Sequence, residues 1–343
     1  MRVVLDAMGG DYGPAVTVPA AVQAAELYDV EVVLTGRKKD IDQELAKHSV
    51  TPGTIEVIDC PEVIETNDKP SVALRQKKNS SMAVAFQMVK NQEADAVISA
   101  GNTGALLAGG LFVLGRIKGI SRPALAVPFP TPRGVSLLLD AGANADCKPV
   151  HLVDFALLGE SYMKAIHGVK DSRIKLVNVG TEPEKGNELT KATYELLTHS
   201  SISFAGNMEA RDIPQGEADV VVCDGFTGNI ILKLFEGVAY TFGQTLKAEL
   251  TKTWSRKIGA ALVKPGLKAL KLQFDYAEHG GVPFLGVNGL LIKAHGSSNE
   301  KAIKNAIRQA KIAWDNELVS HIGAMVDGKN DDSNRENGNE TNA

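Results

Sequence analysis

Two segments of this 343-residue chain repeat one pattern of residues that suits anion binding. Ala94 to Leu107 reads ADAVISAGNTGALL, and Ala218 to Ile231 reads ADVVVCDGFTGNII. In each copy an apolar run leads through Gly-x-Thr-Gly into residues that can begin a helix, where backbone N–H groups and a hydroxyl are available. One copy alone is equally explained as a tight turn with a capping threonine. The two matching copies favour a site for phosphate or for a developing oxyanion.

The two copies differ at positions that bear on their roles. Where the first copy has Ala100 and Ala105, the second has Asp224 and Asn229. The second loop therefore has polar groups where the first has methyl groups. This difference predicts that the second loop lies closer to the chemistry and that the first mainly positions the substrate.

Other glycine-containing loops follow apolar runs elsewhere in the chain. DAMGGDYGP from Asp6 to Pro14 has glycines that permit close backbone approach and a proline suited to a first helical turn. DAGAN from Asp140 to Asn144 and GTEPEKG from Gly180 to Gly186 are of the same style. None of these loops has the dinucleotide fingerprint G-x-G-x-x-G or the P-loop pattern. The sequence therefore predicts no nucleotide cofactor.

Basic residues in and after these loops could neutralise an anionic substrate. Lys148, Lys185 and Lys233 are so placed, although most lysines are solvated surface charges. His295, in the segment KAHGSS, ends an apolar run and precedes a predicted helix start. A functional role and a structural role for this histidine are equally compatible with its position.

Acidic and sulfur-containing residues at the strand ends have simpler explanations. Asp6, Asp140 and Asp224 each end an apolar run, where aspartate is commonly a cap or turn residue. Cys223 directly precedes the second loop and is a conceivable thioester nucleophile. No histidine adjoins it in sequence, however, and a buried cysteine usually serves as a small hydrophobe. The cysteines lack C-x-x-C spacing and the histidines form no H-x-x-x-H pattern, so no metal site is predicted.

Composition places the chain among soluble globular proteins. Hydrophobic residues make up 44% and charged residues 23%, with a formal net charge of -4, so there is no overall basic excess for nucleic acid. The N-terminus shows no signal-peptide h-region, and no run of about 18 apolar residues suggests a spanning helix. We therefore expect a cytoplasmic protein.

Short β-branched runs alternate with helical patterns along the chain, which is typical of a βαβ fold. The predicted strands are Val3 to Asp6, Val32 to Thr35, Thr54 to Ile58, Ala96 to Ser99, Ser136 to Asp140, Ile174 to Val179 and Val220 to Cys223. Several are almost wholly apolar, as expected for a mainly parallel sheet covered on both faces. The prolines between Ser121 and Leu139, with a turn at Thr131 to Gly134, predict one antiparallel hairpin. We expect one α/β domain over 1–326 and a disordered polar tail over 327–343.

The stretch from Lys247 to Lys271 is basic and amphipathic, with a break predicted at Pro265-Gly266. Its basic residues are Lys247, Lys252, Arg256, Lys257, Lys264, Lys268 and Lys271, against the single acid Glu249. Apolar residues from Trp254 to Leu270 are interleaved with them. A hairpin of such helices could lie on an anionic membrane, dock an acidic partner, or bury its apolar stripe in a homodimer.

Several collinear motifs together resemble the bacterial phosphate acyltransferase family, whose members use acyl carrier protein. They are MRVVLDAMGGDYGP at the N-terminus, PSVALRQKKNSSM from Pro70 to Met82, both Gly-x-Thr-Gly loops, LLLDAGANADCKP from Leu137 to Pro149, NVGTEPEKGNEL from Asn178 to Leu189, and AHGSSN from Ala294 to Asn299. The resemblance extends from Met1 to about Ile322. It implies a homodimeric three-layer α/β/α fold, similar to phosphotransacetylases and to isocitrate and isopropylmalate dehydrogenases, and a role in making phosphatidic acid for phospholipids.

The reaction that the resemblance implies moves a long fatty acyl group from acyl carrier protein to inorganic phosphate. The residues expected to act on the reacting groups are Asp224, Asn229, His295 and Lys185. Those expected to bind phosphate or substrate are Asp6, Gly9, Gly10, Gly101, Asn102, Thr103, Gly104, Asp140, Asn144, Lys148, Gly225, Thr227 and Gly228. Asp224 or His295 would manage the phosphate proton, and no cofactor or metal is expected.

Expected partners are acyl carrier protein, a membrane surface and a membrane glycerol-3-phosphate acyltransferase that would take the product. Because acyl carrier protein is acidic, it needs a local basic surface. Lys69, Arg75, Lys77 and Lys78, or the Lys247 to Lys271 stretch, could supply one. The alternatives are a phosphotransacetylase that uses acyl-CoA and a non-catalytic scaffold for carrier protein. A metal-dependent dehydrogenase on the same fold would need a nucleotide fingerprint and metal-binding aspartates, which the sequence lacks.

Overall fold

Two largely parallel β-sheets organise the molecule, whose structure is a computed structural model describing residues 1–273 and 280–328. The first sheet has seven strands in the order β3-β2-β1-β4-β12-β11-β5, and the second has five in the order β6-β7-β10-β8-β9. The strands of the first sheet are β1 (Arg2–Asp6), β2 (Glu31–Gly36), β3 (Ile55–Asp59), β4 (Ala96–Ser99), β5 (Ala124–Leu125), β11 (Gly281–Leu285) and β12 (Leu290–Ala294). Those of the second are β6 (Val127–Thr131), β7 (Gly134–Leu139), β8 (Ile174–Asn178), β9 (Phe204–Glu209) and β10 (Val220–Val222).

Helices cover both faces of the sheets because the strands are apolar on both sides. The helices are α1 (Pro14–Tyr28), α2 (Lys38–Leu45), α3 (Pro70–Gln76), α4 (Ser81–Lys90), α5 (Thr103–Gly109), α6 (Pro149–His167), α7 (Glu188–Thr198), α8 (Gly225–Leu250), α9 (Trp254–Gln273) and α10 (Glu300–Asp315). Along β10, Val220 and Val222 belong to one buried cluster and Val221 to the other. This alternation is the geometric consequence of side chains pointing to opposite faces of a strand, and it confirms the predicted α/β layering.

All of the predicted strands are present, each within two residues of its predicted ends. The predicted hairpin is also present, since β6 and β7 pair antiparallel and their register closes at Thr131 and Gly134. The sequence pattern did not resolve two separate sheets, nor the short or mixed strands β5, β9, β11 and β12. The expectation of one domain over 1–326 stays a prediction. Of the expected polar tail, 327–328 are helical and 329–343 lie outside the described residues.

The basic amphipathic stretch forms part of a helical hairpin made by α8 and α9. Its turn lies at 251–253, so the break predicted at Pro265-Gly266 is wrong: α9 continues through Pro265. Proline removes a single backbone donor, and a long helix with its neighbouring turns intact can continue past that loss. No helix within the described residues combines the length and the apolarity that crossing a membrane requires.

Candidate active site

The carboxyl ends of β1, β4 and β12 meet at one edge of the first sheet because these three strands are parallel neighbours. Ser99, at the end of β4, donates its hydroxyl to Asp6 Oδ2 at 2.7 Å. The backbone N–H of Asp11 donates to the carbonyl of Gly296 at 2.8 Å. The loops that follow the three strands are therefore joined to one another, as expected at a ligand-binding edge of an α/β sheet.

The loop after β1 is packed so closely against its neighbours that no ligand fits beneath it. Gly10 has φ +85°, and a Cβ atom there would lie 2.9 Å from the Gly296 carbonyl. The depression between this loop, Ala100 and Gly296 has no room for a water molecule. The Asp6 carboxyl is buried, and burial raises its pKa. Gly9 and Gly10 thus have a packing reason to be glycine, and the binding roles of Asp6, Gly9 and Gly10 stay predictions.

Several polar groups of the first Gly-x-Thr-Gly loop form hydrogen bonds within the protein. Asn102 Oδ1 caps α5 by accepting from Ala105 N at 3.0 Å, and its Nδ2 donates to the Thr66 carbonyl at 2.9 Å. A Cβ atom on Gly104 would lie 2.6 Å from Cγ of Pro70. The backbone N–H of Gly101 donates to the Ser99 hydroxyl at 2.9 Å.

Thr103 is partly exposed at the first position of α5. The loop can still present Thr103 to a ligand, whereas the Asn102 side chain already joins α5 to the segment before α3. This arrangement agrees with a positioning role for the first loop, and that role stays a prediction.

At the edge of the second sheet, Asp140 is the centre of a buried hydrogen-bond network. Its Oδ1 accepts from the backbone N–H groups of Leu125, Ala143 and Gly142 at 2.9, 3.1 and 3.3 Å. Its Oδ2 accepts from the backbone N–H and the side-chain amide of Asn144 at 2.6 and 2.9 Å. Burial raises the pKa of this carboxyl. Asp140 and Asn144 hold the loop together, and their expected contact with substrate stays a prediction.

The second Gly-x-Thr-Gly loop forms the first turn of α8. Asp224 caps this helix: its Oδ1 accepts from Thr227 N at 2.9 Å and its Oδ2 from the Thr227 hydroxyl at 2.8 Å. Gly225 N donates to the Asn144 carbonyl at 2.8 Å. The carboxylate therefore occupies the positive end of the helix, where it also restrains the hydroxyl that was expected to contact phosphate.

Gly228 is buried against the loop after β7. Replacing this glycine tests whether α8 must pack closely against that loop. A Cβ atom there would lie 2.0 Å from the Asp140 carbonyl oxygen, whereas one on Gly237 of the same helix meets no heavy atom within 4 Å. We expect Gly228→Ala to lower the free energy of unfolding by about 2 kcal/mol or more, because α8 must shift. Gly237→Ala should leave it unchanged or raise it by up to about 1 kcal/mol.

Chemical denaturation of the two glycine variants measures the difference. Equal stability of the Gly228 and Gly237 variants would contradict the packing described for the start of α8.

Asn229, Lys148 and Lys185 have exposed side chains at this second edge. Asn229 lies beside Gly142, whose Cβ position would be 3.5 Å from the Asn229 Oδ1 atom. Lys148 directly precedes α6, and its backbone N–H donates to His151 Nδ1 at 3.1 Å. Asn229 is thus accessible to a substrate at the start of α8, while the expected roles of the two lysines stay predictions.

Residues of α8 approach the edge of the first sheet, so this helix connects the two edges. His295, after β12, experiences the charges of Lys233 and Glu236 on α8 and of Asp11 after β1. The pKa of His295 lies below its ordinary value because of burial, with Lys293 and Lys233 adding to the effect. Ser297 N donates to His295 Nδ1 at 3.2 Å. The neutral ring therefore has its proton on Nε2 and acts there as a hydrogen-bond donor.

The edge of the first sheet also contains a lysine that the sequence pattern did not single out. Lys293 is half-buried near the end of β12, and burial lowers its pKa to about 8. Its signal in the sequence is a lysine near the end of the apolar run LLIKA, a position where a solvated charge is not expected.

The cysteines near this site are not activated. Cys223 is buried and its Sγ lies 3.7 Å from the Asp140 carbonyl. Burial raises the pKa of Cys223 well above its ordinary value and that of Cys147 to about 12. Such thiols are poor nucleophiles. Within the described part of the chain, no cluster of three or more histidine, cysteine or acidic side chains is arranged to hold a metal ion.

Comparison with known proteins gives a consistent result over nearly the whole chain. Residues 1–321 match the family model described as fatty acid synthesis protein. A phosphate acyltransferase of Alkaliphilus oremlandii is 54% identical over 332 residues, covering 97% of this chain and 99% of that relative. A phosphate acyltransferase of Clostridium novyi is 49% identical over 330 residues, covering 96% and 99% respectively.

Solved structures share the fold at much lower sequence identity. A phosphotransacetylase from Streptococcus pyogenes aligns with a TM-score of 0.60 at 17% identity, covering 92% of this chain and 94% of that one. The EutD phosphotransacetylase from Staphylococcus aureus aligns with a TM-score of 0.57 at 14% identity, covering 91% and 93%. These likenesses support the α/β fold inferred above.

Proposed function

We propose, from the premise that this chain belongs to the phosphate acyltransferase family, that its acyl donor is a long-chain acyl group on acyl carrier protein. The chain is an acyltransferase that transfers an acyl group to phosphate for phospholipid synthesis. The observation that carries the proposal is the approach of α8, which begins with the second Gly-x-Thr-Gly loop, to the edge of the first sheet, where Lys233 lies near Lys293 and His295.

In the proposed reaction a phosphate oxygen attacks the thioester carbonyl. A C–O bond forms, the C–S bond breaks, and the thiolate takes up a proton to give free carrier protein. The conjugate thiol has an ordinary pKa near 8.5, so the thiolate is a good leaving group. The site has mainly to gather anionic species, orient them and stabilise the tetrahedral oxyanion. The phosphate dianion needs no base for this attack.

The geometry supports specific roles for two of the expected residues. Asn229 is exposed near the start of α8, directly after its first turn, so its amide can donate to the oxyanion or to phosphate. His295 lies near α8 at the edge of the first sheet, where its ring can contribute to positioning phosphate. Asp224 is already engaged with Thr227, so a structural role as helix cap is favoured over proton transfer. Lys148 and Lys185 reduce repulsion between the anionic reactants in this account.

A basic surface beside the first loop is suited to acidic carrier protein. The Lys77 side chain interacts within the protein, since its Nζ forms an ion pair with Asp68 and donates to the Val63 carbonyl at 2.8 Å. Lys69, Arg75 and Lys78 remain exposed around α3. Because Pro70 of α3 abuts Gly104, a carrier protein docked on α3 would lie next to the first loop. We assign this surface, rather than the α8–α9 hairpin, to the carrier protein.

We assign the hairpin to homodimer formation and to contact with a membrane surface. It exposes many large apolar side chains, among them Phe242 at 67%, Trp254 at 79% and Leu262 at 80%. An exposed apolar surface of this kind, with basic residues beside it, is typical of a partner or membrane interface. Sedimentation should give a dimer, and flotation should show binding to anionic vesicles. A monomer that does not bind such vesicles would contradict both assignments.

The donor is tested by measuring phosphate-dependent loss of palmitoyl carrier protein and of palmitoyl-CoA under matched conditions. The proposal expects the carrier-protein thioester to be the preferred donor and acyl phosphate to appear in step with free carrier. Preference for the CoA ester would instead support a phosphotransacetylase-like donor. Binding of carrier protein without turnover would support a scaffold.

A further inference from the structure

We propose that Lys293, together with Lys233, binds the inorganic phosphate that accepts the acyl group. The inference rests on phosphate as the acceptor in the proposed function, and it does not depend on which acyl donor is used. It adds to the site a residue outside the Gly-x-Thr-Gly loops.

The register of the first sheet places Lys293 beside the start of the first loop. Lys293 of β12 pairs with Ser99 of β4, and paired residues on neighbouring strands point to the same face. Leu291, two residues earlier on that face, belongs to a buried cluster against which Ile231 and Phe235 of α8 pack. The Lys293 side chain therefore lies on the face that α8 covers. The same cluster contains Leu106 of α5, so the helices that follow both Gly-x-Thr-Gly loops pack on this face of the sheet.

Lys293 lacks a counter-ion within the part of the chain that the structure describes. No carboxylate there forms an ion pair with it, and no hydrogen bond to its ammonium group is formed by these residues. Lys233, a second cation, contributes to lowering its pKa, and the nearby Glu236 is already paired with Lys233 at 2.7 Å. A desolvated cation without a partner is costly, so an anion bound at this position would be stabilised.

Phosphate matches the groups that surround this ammonium. Lys293 supplies a positive charge without a counter-ion among the described residues, and Lys233, which is paired with Glu236, adds a second ammonium group close by. A phosphate dianion has several oxygens and can accept hydrogen bonds from both ammonium groups at once. A thioester, which has no net charge, gains little from two cations. The geometry therefore points to the acceptor substrate rather than to the acyl donor.

The test is calorimetric titration of the full-length protein with inorganic phosphate in the absence of any acyl donor. Lys293→Met keeps the length of the side chain and removes its charge, so phosphate binding should weaken roughly tenfold or more. Lys293→Arg should restore most of the affinity. Lys233→Met, on the exposed side of α8, should weaken binding in the same direction by a smaller factor.

Lys39→Met, at an exposed position of α2, is the matched control and should bind phosphate as the wild type does. Thermal unfolding checks that each variant is folded, and KM for phosphate at saturating acyl donor gives a second comparison. Wild-type affinity and wild-type KM in Lys293→Met would overturn the inference. Lys293-dependent phosphate binding in a protein that does not use carrier-protein thioesters would refute only the proposed donor.

Discussion

Replacing Asn229 by alanine is expected to lower the rate of acyl transfer about a hundredfold, which is typical of losing one oxyanion donor. Asn229 is exposed near the start of α8, beside the loop that contains Gly142, so its amide can reach a bound substrate. The substitution removes this donor and leaves the cap at Asp224 in place. The measurement is kcat and KM for both substrates with purified protein.

Two comparisons make the Asn229 result specific. The free energy of unfolding should change by less than about 0.5 kcal/mol, because the side chain is exposed and α8 tolerates alanine. Asn229→Asp keeps the size of the side chain but puts a negative charge beside an anionic substrate, so it should be at least as slow as the alanine variant. Near-normal turnover in a folded Asn229→Ala protein would count against the assigned role.

Replacing Asp140 by alanine is expected to cost about 3 kcal/mol or more of stability. The carboxylate accepts hydrogen bonds from the backbone of Leu125, Ala143 and Asn144 in a buried position. Without it these donors are left unpaired, and each unpaired buried donor costs about 1–3 kcal/mol. Loss of the carboxylate's own desolvation penalty offsets part of this cost. Chemical denaturation of the variant measures the net change.

Asp146→Ala is the matched control, because Asp146 lies in the same loop and is exposed. Its stability should change by less than about 0.5 kcal/mol. Activity measurements distinguish a structural role of Asp140 from a role in binding substrate. If the Asp140 carboxylate only holds the loop together, activity should fall in proportion to the folded fraction. A stable, inactive Asp140→Ala protein would instead place the carboxylate in contact with substrate.

Much of the fold could be predicted because its strands follow simple physical rules. Val220 to Val222 is apolar at every position, and such a run predicts a strand buried on both faces, as found. The β6–β7 hairpin was predicted from prolines confined to an edge strand and from the turn at Thr131 to Gly134. The division into two sheets depends on which distant strands pair. Local patterns contain little information about that choice.

The candidate site shows a different limit of sequence reasoning. The loops were located correctly at the strand ends, but residue type could not distinguish a ligand contact from an internal hydrogen bond. Asn102 and Asn144 are expected to contact substrate, which stays a prediction, and their amides also donate to the carbonyls of Thr66 and Pro123 within the protein. Lys293 was missed because its significance depends on burial and on α8, which begins far away in sequence. Only tertiary structure brings those groups together.

The most direct test of the account is a crystal structure of the protein with inorganic phosphate bound. Phosphate should bind between the two Gly-x-Thr-Gly loops, with oxygens within hydrogen-bonding distance of the Lys293 ammonium group and of residues at the start of α8. Phosphate bound away from both loops, with Lys293 still lacking a counter-ion, would contradict it.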